Sequence, residues 1–365
     1  MKKVLVLTAS FGDGHNAAAK GIRESLEVRD DFEVTLADLY AKAVPLVDRS
    51  VQFGYTVAIN RMPWAWDLIF RALDHPGLME RMLWTAGALR RAMEAELEQF
   101  KPDAVISTYP LYGYLFREIQ RSQPDLKTPM ITVITDSVGV NSAWYRCRSD
   151  AFLVPDEETA EGLEKAGVER KQVHALGFPV SRRFSLQEPV PESAGAPWKL
   201  LFLPSTQLVR TMRQITALLA LPEVELTILA GRHGRLQRAL QDAGLEADGR
   251  CTVLGWTDKM PELLASHHAF IGKAGGAIVQ EAIASRCPFF VSHVVPGQEE
   301  GNIALIERLG VGTPATGRPR ELASRVEAAF GDDAKVWRGW KKNLGSLRRE
   351  AAADRVADFV AELVD

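Results

Sequence analysis

Residues 269–281 read Ala-Phe-Ile-Gly-Lys-Ala-Gly-Gly-Ala-Ile-Val-Gln-Glu. The opening Ala269-Phe270-Ile271 is an apolar run short enough for a buried strand, and Gly272 to Gly276 turns the chain into a helix expected from about Ala277. Such a helix start offers unpaired N–H groups, and glycine leaves the backbone open to an anion. Glu281, about one and a half turns on, stands where a carboxylate could accept both hydroxyls of a ribose whose phosphates sit at the helix end. The spacing lacks the G-x-x-x-x-G-K-[ST] pattern of P-loop proteins.

Outward from this turn the same strand–helix alternation recurs. Strands are expected at Lys199–Leu203, Glu225–Ala230, Cys251–Leu254 and Pro288–Ser292. Before a break at 185–197 (SLQEPVPESAGAP), others are expected at 4–9 (VLVLTA), 32–36, 104–107, 130–134 and 151–154. Continuous apolar strands separated by helices indicate parallel sheets covered on both faces. The expected division is an N-terminal domain over 1–184, a Pro-rich linker over 185–197, a nucleotide-binding domain over 198–336, and a helical segment over 337–365. The last is expected to pack back on the first domain. The fold class is α/β, two Rossmann-like domains facing a central cleft, where open sheets bind ligands.

Composition narrows the function. With 46% hydrophobic and 25% charged residues the chain reads as globular, and a net charge of −3 gives no general pull toward nucleic acid. Cys147, Cys251 and Cys287 have neither disulfide nor zinc spacing. No apolar stretch approaches membrane-span length, so a cytoplasmic protein with peripheral membrane contact at most is expected.

The first turn, Gly12-Asp13-Gly14-His15-Asn16-Ala17, fits G-x-G-x-x-A after a strand, with Asp38 ending the next one. This keeps open an NAD(P)-dependent oxidoreductase using Gly12, Gly14 and Asp38. His15 at a helix start is expected to stay neutral and able to accept a proton; the alternative is a histidine that only caps the turn. The loop Val295-Pro296-Gly297-Gln298-Glu299-Glu300-Gly301-Asn302 offers Gln298, Glu299 and Asn302 to sugar hydroxyls. Residues 51–93 interleave Trp64, Trp66, Phe70 and Trp84 with arginines. That pattern suits either an interfacial segment on anionic lipid or a helical excursion packed in the first domain. No D-x-D motif occurs, so no metal is expected. The diphosphate charge then falls to helix dipoles, turn amides and Lys273 or Arg232.

Taken together, Gly14-His15-x-x-Ala18-Ala19, Thr135-Asp136, Leu176–Val180, Gly275-Gly276 with Glu281, and Pro296-Gly297-Gln298-Glu299-x-x-Asn302 resemble one family. It is the monogalactosyldiacylglycerol synthase and processive diacylglycerol glucosyltransferase family, related more distantly to the lipid II-forming N-acetylglucosaminyltransferase. The resemblance implies a GT-B fold and an inverting transfer of glucose or galactose from UDP-glucose or UDP-galactose, without cofactor or metal. The implied acceptor is diacylglycerol or a related lipid at the inner membrane face. It implies His15 as catalytic base; Gly14 and Asp136 are expected on the acceptor side, as are Trp64 and Trp66 of the interleaved 51–93 segment. For the donor it implies Ser205, Thr206, Trp256, Gly275, Gly276, Ala277, Glu281, Gln298, Glu299 and Asn302. Ala274 stands where the family commonly has proline, and Val140-Asn141-Ser142-Ala143-Trp144 lacks the histidine that the family usually shows near a tryptophan after Thr135-Asp136. A lipid II-type transferase and a GT-B-fold epimerase are the alternatives on this fold.

Overall fold

The computed structural model describes residues 1–10, 13–44, 75, 77–136, 140–147, 149–205, 207–247, 249–294, 299–347 and 350–364. The chain forms two compact units: residues 1–182 with 350–365, and residues 183–295 with 299–349.

In the first unit six parallel strands lie in the order β2-β1-β3-β4-β5-β6. They are β1 (Lys2–Thr8), β2 (Phe32–Asp38), β3 (Ala104–Ser107), β4 (Met130–Val133), β5 (Ala151–Val154) and β6 (Val173–Ala175). The unbroken apolar run of β1 follows from burial on both faces. Val4 and Val6 join a core with Ile22, Leu26 and Val360. Leu5 and Leu7 join the opposite core with Leu89, Met93 and Phe116. Helix α1 (Asp13–Glu27) and the final helix, Ala352–Leu363, cover the first of these faces. Arg355 Nε donates to the Leu176 carbonyl at 2.8 Å, and Arg29 pairs with Asp358.

Gly21 of α1 lies directly over residues 179–181, and a Cβ there would fall inside the contact distance of the Pro179 carbonyl oxygen. Alanine would gain about 1 kcal/mol in an isolated helix. Here backbone meets backbone, so Gly21→Ala is expected to lose a net ~1–3 kcal/mol, read as a lower urea midpoint at unchanged slope. An unchanged midpoint would show that the 179–181 segment yields.

The second unit repeats the plan with the order β12-β11-β10-β7-β8-β9, again all parallel. Its strands are β7 (Trp198–Phe202), β8 (Val224–Leu229), β9 (Cys251–Leu254), β10 (Ala269–Lys273), β11 (Phe289–His293) and β12 (Gly312–Pro314). Strand β10 runs two residues beyond the expected Ile271. Gly272 is therefore a strand residue, and its missing side chain makes room for the Phe270 ring.

The segment 185–197, read from sequence as a linker, lies in the second unit: Val190 N donates to the Ala265 carbonyl at 2.9 Å, and Val190 and Ala194 pack against the core. The expected C-terminal segment is divided between the units. Trp337 is fully buried in the second core and donates to the His268 carbonyl at 2.7 Å, so residues up to 349 stay there. Only 350–365 belong to the first unit.

Candidate active site residues

In an open parallel sheet the ligand crevice opens where strand order reverses, beyond the carboxyl ends of the two strands that flank the reversal. In the first unit those strands are β1 and β3. The chain leaves β1 through Thr8-Ala9-Ser10 and enters α1 at Asp13, which puts Gly14 and His15 in the helix's first turn. Asn16 ties the turn down: its Oδ1 accepts from Thr8 Oγ1 at 2.9 Å, and its Nδ2 donates to Ser10 Oγ at 3.1 Å.

Around His15 the neighbours come from the ends of two strands, β3 and β4. After β3, Thr108 Oγ1 donates to the His15 carbonyl at 3.1 Å, and the Tyr109 ring stands edge-on at 5.3 Å. After β4, Thr135 Oγ1 lies 3.1 Å from His15 Nδ1. Trp144 tilts against the imidazole at 5.7 Å and donates its indole N–H to Asp136 Oδ2 at 2.7 Å. Burial lowers the His15 pKa to about 4, so the ring is neutral at pH 7. Burial also pushes the Asp136 carboxyl up, against the hydrogen bond from Trp144. Asp136 is thus joined to His15 through a shared tryptophan. The space beside Gly14 is open.

Asp38 is differently employed from the ribose-binding acid that the first glycine turn suggested. Its Oδ1 accepts from Ala41 N at 3.1 Å as a helix N-cap, and its Oδ2 accepts from Ser10 Oγ at 2.6 Å. Both oxygens help to hold the turn, an employment that competes with ribose binding; Gly12 lies outside the described residues.

In the second unit the order reverses between β7 and β10. After β7 comes Ser205, whose carbonyl accepts from Thr211 Oγ1 at 3.1 Å and whose Oγ accepts from Gln207 N at 3.4 Å. After β10, Ala274 is fully buried and Gly275 is the N-cap of the helix Gly276–Ala284. Gly275 has φ −68°, a backbone open to any residue, so the glycine serves space rather than conformation. A Cβ there would press on Lys273 Cε at 3.3 Å. The helix start thus presents the N–H groups of Gly276 and Ala277 beside Lys273, with Glu281 further along the same helix.

Glu299 and Asn302, at the start of the helix Glu300–Leu309 that follows β11, are built into this corner. Glu299 is buried, and its Oε1 holds Lys273 Nζ at 2.9 Å. Asn302 is buried too and donates to the Ala274 carbonyl at 2.9 Å. That amide N–H clamps the glycine turn. His293, at the end of β11, was not foreseen; burial, with Lys273 and Arg210 nearby, lowers its pKa to about 4. Trp256, after β9, is 60% exposed with the Arg232 guanidinium 5.1 Å over its ring. Arg232 is thereby placed on Trp256. Thr206, Gln298, Trp64 and Trp66 lie outside the described residues. Of the 51–93 segment, His75 and residues 77–93 are described; there Trp84 is 85% exposed between exposed Arg81 and Arg91.

Comparison with known proteins agrees with the fold of two parallel sheets. Residues 15–180 match the family model described as monogalactosyldiacylglycerol (MGDG) synthase. Along nearly its whole length the chain is similar to a processive diacylglycerol beta-glucosyltransferase of Bacillus thuringiensis: 23% identity, covering 99% of this chain and 93% of the relative. Among solved structures it is similar to Acinetobacter baumannii MurG (TM-score 0.64, 14% identity, 99% and 100% covered). It is also similar to the UDP-GlcNAc 2-epimerase of Neisseria meningitidis (TM-score 0.62, 13% identity, 99% and 98% covered). The two Rossmann-like units are those of the GT-B fold; the family model covers residues 15–180, and the likeness to the diacylglycerol glucosyltransferase extends over 99% of the chain.

Proposed function

We propose that this chain is an inverting hexosyltransferase that moves glucose or galactose from a UDP-sugar to diacylglycerol or a related glycolipid at a membrane surface. The observation that carries the reading is the presence of a switch-point site in each unit of one chain. One holds a neutral histidine at a helix start; the other is a helix N-terminus flanked by Lys273 with Glu281 on the same helix. The full-length likeness to diacylglycerol glucosyltransferases supports lipid as the acceptor.

In this reaction His15 takes the proton of the acceptor hydroxyl. The hydroxyl oxygen forms the new bond to the anomeric carbon, and the electron pair of the breaking C–O bond leaves with UDP. The charge that develops on the diphosphate is met by the Gly276 and Ala277 N–H groups and by Lys273, without a metal ion. Glu281 takes the ribose hydroxyls. Glu299 holds Lys273 in place, and Asn302 fixes the turn. Ser205 and Trp256 lie at the same carboxyl edge of the second sheet, suited to the phosphate and the base.

The likeness to an epimerase makes acceptor dependence the deciding property. UDP-glucose and UDP-galactose consumption should be slow alone and rise with diacylglycerol vesicles. Consumption that is indifferent to lipid would favour chemistry on the donor itself.

Among the described residues no helix is long and apolar enough to cross a membrane. Trp84, exposed between Arg81 and Arg91, is the described part of the face that would meet anionic lipid. Trp84→Ala is expected to weaken sedimentation with phosphatidylglycerol-containing vesicles roughly tenfold, the loss of one large buried apolar side chain. Unchanged binding would remove Trp84 from the interface.

A further inference from the structure

A histidine that takes a proton at one ring nitrogen must carry one at the other, and the group facing that second nitrogen decides how well it does so. Around His15 the candidates come from every packed element. Asp136 is engaged by the Trp144 indole, Asp38 by Ser10 and Ala41, and Tyr109 meets the ring edge-on. Tyr112 gives its hydroxyl to the Thr8 carbonyl at 2.9 Å. Among the described residues the polar atom within hydrogen-bond distance of Nδ1 is Thr135 Oγ1 at 3.1 Å, and Thr135 is 6% exposed. No described residue hydrogen-bonds Nε2.

From this arrangement we infer that Thr135 is a positioning residue: its hydroxyl accepts from His15 Nδ1–H, so that Nε2 carries the lone pair that receives the acceptor's proton. The inference rests on the reading of His15 as the base. A hydroxyl can donate or accept, but once the ring is protonated both nitrogens are donors. At that point acceptance is the only role left to Thr135. The contact therefore strengthens as the transition state forms, which is what makes an interaction count toward turnover. Burial, which keeps the ring neutral at rest, raises the cost of losing this acceptor. A neutral hydroxyl here in place of a carboxylate lets the ring return to its neutral form after each turnover.

Thr135→Val keeps the branched shape and removes the hydroxyl; Thr135→Ser restores it. Valine is expected to lower kcat roughly 10- to 100-fold, the range for a hydrogen bond to a charged group, with KM for the UDP-sugar unchanged and serine recovering most of the rate. Independently of activity, nitrogen NMR of His15 in the free protein should show the proton on Nδ1 in the wild type and on Nε2 in the valine variant. A wild-type ring protonated on Nε2, or a valine variant with unaltered tautomer and kcat, would overturn the inference. If His15→Ala were active, the base reading would fail while the tautomer measurement still stood on its own. If His15→Ala were inactive and Thr135→Val fully active, only the role of Thr135 would be lost.

Discussion

His15→Ala is expected to cut turnover by about 10²–10⁴-fold, the usual contribution of a positioned general base, while UDP affinity stays at its wild-type value. The two halves of that result come from different parts of the chain. His15 sits at the start of α1 in the first unit, among Tyr109, Thr135 and Trp144. The groups assigned to the diphosphate and ribose all lie in the second unit, on the turn after β10 and its helix. Removing the imidazole leaves the main tethers of the first turn intact, because Asn16, Ser10 and Asp38 hold one another without it. Calorimetry with UDP and a steady-state assay on the same preparation check both halves. A variant with wild-type turnover would mean that another group takes the proton.

Glu281→Ala has the opposite signature. Binding of UDP should weaken roughly 10- to 100-fold, as expected when hydrogen bonds to a charged group are lost. Alanine is the better helix former, so the helix Gly276–Ala284 should persist. UMP shares the ribose but lacks one phosphate, and its affinity should fall by the same factor. If UDP weakened and UMP did not, Glu281 would be acting on the diphosphate through Lys273 and not on the ribose.

The fold was legible because both sheets are buried on both faces. Runs such as Val4–Leu7 and Phe270–Ile271 have no room for a polar residue, and the turns between them must carry glycine or small polar residues. The helix starts at Gly14–His15 and Gly275–Gly276 follow from the same local chemistry.

What stayed hidden is the pairing across long sequence gaps. His15 and Thr135 are 120 residues apart, and Asn302 is 28 from the turn it clamps. Nothing local in Pro296–Asn302 says that Glu299 would turn inward to Lys273 while Asn302 took the Ala274 carbonyl. Asp38 is the opposite case, because its employment is legible locally. An aspartate directly before Leu39-Tyr40-Ala41 is an N-cap pattern, and that employment competes with ribose binding. Trp337 likewise showed its place only through packing, since a helical pattern does not say against which core it lies.

The central claim is that this chain joins a hexose to a lipid hydroxyl with inversion. It is tested most directly by the product. The protein is incubated with UDP-glucose or UDP-galactose and diacylglycerol vesicles. The lipid fraction is extracted and the sugar's anomeric proton read by NMR. The account predicts a β-linked hexosyl diacylglycerol formed from an α-linked donor. An α-linked product, free sugar with no lipid conjugate, or an epimerised UDP-sugar would contradict it.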